Sequence, residues 1–105
     1  MATVLVTIFW RDIPAQITAQ KGRTREKGLL DARFQLAIDQ AAMVAGLTGI
    51  DDYVTQWRRE AQPCSADLAQ EVADALVRVD INYPAERIKK LVRSGGLEPT
   101  EDRNS

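Results

Sequence analysis

Histidine is absent from this chain, and cysteine occurs once, at Cys64. The first absence removes the Ser-His-Asp and Cys-His catalytic arrangements and the imidazole metal ligands. A single thiol closes neither an internal disulfide nor a zinc or iron–sulfur cage, and it suits a reducing compartment. Neither GxGxxG nor GxxxxGK[ST] occurs, so no glycine-rich phosphate cradle is supported. Aromatics make up 6% of the residues, few for a base-stacking surface. The apolar run at the start is broken by Thr3 and Thr7 and stops at Arg11. That is far short of the ~20 residues that span a bilayer, and it lacks the basic region of a secretory signal. A soluble, cytoplasmic protein without metal or cofactor is the expectation.

What is present is ordinary for a globular domain: 105 residues, 45% hydrophobic and 28% charged, with a net charge of −1. This length accommodates one domain with one modest core. The near-neutral balance gives no bulk attraction to a polyanion.

Val4, Val6, Ile8 and Trp10 alternate with Leu5, Thr7 and Phe9, which predicts a strand apolar on both faces. Arg11-Asp12-Ile13-Pro14 breaks it, and Ala15 to Gln20 resumes a period-two pattern with one wet face. Lys21 to Gly28 reads as a charged loop, after which Leu29 and Leu30 form a short third strand or enter the next helix. Asp31 is a fitting N-cap for a helix to Ala45, stopped by Gly46. Asp51 or Asp52 would cap a short helix carrying Tyr53, Val54 and Trp57 and ending in Arg58-Arg59. Ser65 would cap a helix with Leu68, Val72, Ala75, Leu76 and Val79 on one face, and Pro84 suits the first turn of a last helix. The fold class is therefore α+β: an N-terminal antiparallel hairpin or three-stranded sheet packed against three to four helices. Residues 1–96 form the single domain, and 97–105 are a disordered polar tail.

Few residues offer chemistry. Cys64, near a helix start, is a nucleophile candidate, although no fixed base accompanies it. Asp51 and Asp52 are adjacent and do not converge on a point, so capping accounts for them. Lys21, Arg23, Arg25 and Lys27 are offset only by Glu26, and Arg87, Lys89, Lys90 and Arg93 line the last helix. Three or four phosphate contacts would give weak, salt-dependent nucleic-acid binding, so solvated surface is the first reading of both clusters and docking the second. Trp10, Trp57 and Tyr53 beside Arg11, Arg58 and Arg59 could form a recognition patch, with Trp10 the best placed and core packing the alternative.

The block Phe9-Trp10-Arg11-Asp12-Ile13-Pro14-Ala15-Gln16, followed by Gly22-Arg23, Arg33-Phe34, Ala37-Ile38-Asp39, Ala45-Gly46, Tyr53 and Trp57-Arg58, resembles the bacterial virulence factor family. The resemblance covers residues 3–96, and the Trp10–Gln16 block is its most specific part. It implies a small bacterial protein or a module fused to others. It also implies a setting beside tetrahydrofolate- and corrinoid-dependent methyl transfer, and it carries over no catalytic residue. The leading expectation is a non-catalytic accessory protein that binds a partner protein. Its interface is expected at Trp10, Arg11, Asp12, Ile13, Pro14 and Gln16 with Lys21, Arg23, Arg25 and Lys27. The alternatives are a small enzyme or binding protein for an anionic ligand such as folate, and a weak RNA binder.

Overall fold

The computed structural model describes residues 3–47 and 49–98. Strands β1 (Thr3–Trp10), β2 (Ile13–Lys21), β3 (Thr24–Leu29) and β4 (Trp57–Pro63) form one antiparallel sheet in the order β3-β2-β1-β4. Around it lie helices α1 (Ala32–Ala45), α2 (Ile50–Val54), α3 (Leu68–Asn82) and α4 (Ala85–Arg93). The α+β class follows the sequence reading, with a fourth strand added.

Strands β1 and β2 turn sharply at Arg11-Asp12, and Trp10 pairs with Ile13. Arg11 takes φ of 55°, a left-handed conformation unfavourable for a side chain with a Cβ. Pro14 does not end the strand, contrary to the expected break; it pairs with Phe9 inside β2. The ladder from β3 reaches only Gln16, so Pro14 has a strand on one side alone and its missing N–H leaves no gap. A register shift between Ile8 and Phe9 leaves Ala15 as the extra residue on β2.

Two segments correct the sequence reading. The expected charged loop is mostly strand: β2 runs to Lys21, Gly22-Arg23 make the turn, and Thr24–Leu29 add β3. Trp57-Arg58-Arg59, expected to end a helix, open β4 at the opposite edge. Both edge strands are charged and almost wholly exposed, so neither shows the one-sided apolar alternation that marks a strand in sequence. Charged edges also discourage edge-to-edge association.

Asp31 caps α1 as expected, its carboxylate accepting from the Arg33 N–H at 3.3 Å, and Gly46 ends the helix at φ 74°. Gly49 rather than Asp51 or Asp52 precedes α2, and both aspartates sit in its first turn. Asp67, not Ser65, caps α3; its carboxylate accepts from the Gln70 N–H at 3.2 Å. Pro84 occupies the cap of α4.

Apolar packing forms two clusters. One joins Leu5, Ile17 and Ala19 of the sheet to Val72 and Ala75 of α3. Here α3 comes so close to β3 that a Cβ on Gly28 would lie 2.5 Å from Val72 Cγ1. The other gathers Trp10 and Ile13 with Phe34, Ala37, Ile38, Ala41 and Ala42 of α1 and with Ile88 and Leu91 of α4. Past the expected boundary at 96, the Glu98 N–H donates to Asp12 Oδ2 at 2.6 Å. The rest of the expected tail, 99–105, lies outside the described residues. No helix among the described residues is long and apolar enough to cross a membrane.

Candidate docking surface

The Trp10–Ile13 corner is knotted into the fold. Trp10 and Ile13 are 0% exposed, and Pro14 is among the fully buried side chains. The indole N–H donates to the Tyr53 carbonyl at 2.9 Å, its ring stacks on Tyr53 at 5.5 Å, and Tyr53 meets Trp57 edge-on at 5.8 Å. Gly96 closes over the indole: a Cβ there would lie 2.8 Å from Trp10 Cζ3.

Arg11 is equally engaged. Its Nε donates to Gln56 Oε1 at 2.9 Å, its Nη1 to the Gly95 carbonyl at 3.1 Å, and its backbone N–H to the Gln56 carbonyl at 3.0 Å. These anchors hold the left-handed backbone against its steric cost. Asp12 accepts from Arg58 Nη1 at 3.1 Å, and Arg58 also donates to the Arg11 carbonyl. The expectation that Trp10, Ile13 and Pro14 meet a partner is thus corrected: each is sealed in the interior. Arg11 and Asp12 spend their polar groups on the fold itself.

The remaining candidates separate by register. Residues facing each other across a ladder share a side of the sheet. Leu5, Ile17 and Ala19 face α3, and Thr7, Glu60, Glu26 and Gly28 share their side by pairing. The opposite side carries four rows: Trp57–Trp10–Ile13, packed against α1, α2 and α4, and then Arg59–Ile8–Gln16–Leu29, Ala61–Val6–Thr18–Lys27 and Pro63–Val4–Gln20–Arg25. Of the predicted residues, Gln16, Arg25 and Lys27 therefore fall together. Lys21 falls on the α3 side with its partner Thr3, and Arg23 lies in the turn.

No residue of the last three rows belongs to either core cluster, and Arg25, Lys27, Leu29, Arg59, Ala61 and Pro63 are all exposed. Leu29 is 75% exposed, whereas Val6, in the middle of the central row, is buried at 4% and Val4 and Ile8 on either side of it are half-buried. The helices thus cover this side at its Trp10 end and leave the other three rows without a packed helix among the described residues. Their centre is the apolar strip Val4, Val6 and Ile8, extended by Ala61 and Pro63.

Charge is sorted by the strand period. Arg25-Glu26-Lys27 and Arg59-Glu60 alternate in sign, so the cations go to the open face and the glutamates to the other. Three cations and no carboxylate occupy the open face, and none of the three forms an ion pair among the described residues. Sequence reading did not single out Val4, Ile8, Thr18 and Ala61, and it grouped Arg59 with the tryptophans rather than with Arg25 and Lys27. The signal was there, because sign alternation at period two becomes one-signed once the segment is a strand.

The other candidates are plainer. Cys64 is half-buried, and its thiol is pushed up from the ordinary value by desolvation and then by the Glu71 carboxylate, the opposite of an activated nucleophile. Arg87 reaches Glu98 at 3.1 Å and the Asn82 carbonyl at 2.7 Å, with its guanidinium 4.2 Å from the centre of the Tyr83 ring. Lys90 and Arg93 sit in the last turn of α4, where cations suit the helix dipole.

These features define a small α+β protein whose antiparallel sheet is covered by α3 on one face and only at its Trp10 end on the other. A sequence model of the family described as "Virulence factor" matches residues 8–92, most of the chain. The chain belongs to the virulence factor family. No curated protein and no solved structure matches it.

Proposed function

We propose that this chain is a non-catalytic accessory protein that presents the open face of its sheet to a partner protein. The observation that carries this reading is the face itself: half-buried Val4 and Ile8 beside three cations that form no ion pair among the described residues, on rows that no described helix covers. Three rows across four strands amount to roughly 300 Å² at ordinary sheet spacings. That area is well below the ~800 Å² that each partner contributes to a standard interface, which suits a transient contact.

The setting we favour is a bacterial methyl-transfer complex dependent on tetrahydrofolate and a corrinoid, with one of its enzymes as the partner. The resemblance of the Trp10–Gln16 block supports this setting. An anionic ligand gripped by Arg11 and Asp12 is the weaker reading, because both side chains would first have to leave the partners they hold. RNA is disfavoured because the strip is Val4, Val6 and Ile8, with no aromatic ring on which a base could stack.

The test is site-specific photocrosslinking in the producing cell. Benzoylphenylalanine at Thr18 or at Ala61 is expected to capture one defined protein, and the same probe at Asp74 on α3 is not. Adducts from Asp74 alone, or from no position, would refute docking through this face.

A further inference from the structure

Resting on that docking reading, we infer that the open face accepts an amphipathic helix whose apolar ridge is flanked by carboxylates. Three observations converge on this occupant. The first is layering. Strands β1 to β3 have α3 on one side, whereas on the other α1, α2 and α4 pack only at the Trp10–Ile13 end, so one helix laid on the remaining three rows would extend that second layer.

The second is dimension. Val4, Val6 and Ile8 run along the central strand β1 over about 13 Å, the length of roughly nine helical residues, or two to three turns. The strip is bounded rather than continuous. Gln16, Thr18 and Gln20 form a polar shelf on β2, and Ala61 and Pro63 form a low apolar shoulder on β4.

The third is charge. Arg25 and Lys27 lie two strands away on one flank of the strip, and Arg59 lies beside Ile8 on the other. A helix seated on the strip would carry its flanking residues over both sets. Carboxylates there meet unpaired cations, whereas lysines or arginines meet like charge and no compensating acid, because Glu26 and Glu60 face the other way. The same sorting disfavours a second copy of this chain, since two open faces pressed together would oppose only cations. It disfavours a phosphate backbone less, but a nucleic acid would leave the apolar strip unused.

The experiment titrates the full chain with three probes while amide and methyl resonances are followed by NMR. The probes are a synthetic helix with a leucine ridge flanked by glutamates, its isomer with lysines in place of the glutamates, and a single-stranded RNA twelve-mer. The glutamate peptide is expected to move the resonances of Val4, Val6, Ile8, Thr18 and Ala61. Its affinity should fall at least about tenfold in the Arg25→Glu/Lys27→Glu/Arg59→Glu variant and weaken with salt. Equal or tighter binding of the lysine peptide or the RNA would overturn the inference, as would a glutamate peptide that moves none of those resonances at millimolar concentration. If crosslinks at Thr18 persist while the charge-reversed variant still captures the same protein, the docking surface stands and the acidic helix falls. If Thr18 captures nothing, the docking reading itself fails.

Discussion

The Trp10–Ile13 corner and the open rows share strands β1 and β2 and use the same kinds of residue, apolar side chains and arginines. At the corner each arginine has an inward task. Arg11 and Arg58 are hydrogen-bonded, and their guanidinium carbons lie 5.6 and 4.4 Å from the ring centres of Trp10 and Phe9. Arg33 and Arg87 repeat the arrangement over Phe34 and Tyr83 at 4.4 and 4.2 Å. On the face, Arg25, Lys27 and Arg59 stack on no ring and pair with no carboxylate among the described residues. An arginine beside a tryptophan in sequence therefore marks a structural clamp here, and the cations alternating with glutamates mark the surface. The difference lies in what each side chain has already bonded.

The largest effect should come from the corner. Trp10→Ala empties a fully buried aromatic site and orphans the Tyr53 carbonyl, at an expected cost of about 3–5 kcal/mol of folding stability, measured by urea unfolding. A Trp10→Ala protein that keeps its stability and loses its partner would return the corner to the interface and break the comparison. Gly96→Ala tests the same knot more gently. Its φ of 93° and the 2.8 Å approach of a Cβ to the indole should cost about 1–3 kcal/mol, with partner binding intact in the folded fraction.

Much of the fold was readable in the residues, and the reasons for the misses are physical. Asp31 and Gly46 bounded α1 correctly because capping chemistry is local. The first hairpin was visible because β1 is paired on both sides and reads as apolar. Strands β3 and β4 were hidden because an edge strand needs no apolar pattern; Arg25-Glu26-Lys27 and Arg58-Arg59-Glu60 owe their conformation to the ladder, not to burial. The candidate site was half readable for the same reason. Gln16, Arg25 and Lys27 were picked out by charge and position, but the strip they border and Arg59 across from them came together only through strand pairing. Trp10 misled because nothing in sequence distinguishes an indole at a strand's end that is exposed from one capped by distant Gly96 and Tyr53.

The charged face should give the reverse result to the corner. Arg25→Gln, Lys27→Gln and Arg59→Gln should each change stability by no more than roughly 0.5 kcal/mol, because no internal bond is lost. Together they should weaken capture through Thr18 several-fold in titrations at physiological salt. A loss of stability comparable to Gly96→Ala would show that these side chains serve the fold after all, and the two regions would no longer differ in kind.

The smallest effect belongs to the entry of α3, on the covered side of the sheet. The Ser65 N–H donates to Glu71 Oε2 at 2.8 Å, and that bond to the ionised form holds the carboxyl below its usual value. A carboxyl depressed in the folded state contributes stability that is present above its unfolded value, near 4.5, and is lost as pH falls through the lower folded one. The difference in stability between wild type and Glu71→Gln should therefore be constant near neutrality and shrink on acidification below that range. The same carboxylate raises the Cys64 thiol, second to desolvation. Glu71→Gln should thus also bring the Cys64 pKa partway down and speed alkylation by iodoacetamide at mildly alkaline pH. Unchanged alkylation with an altered acid limb would confine Glu71 to the helix entry, whereas an unchanged acid limb would remove even that role and leave α3 held by its apolar contacts alone.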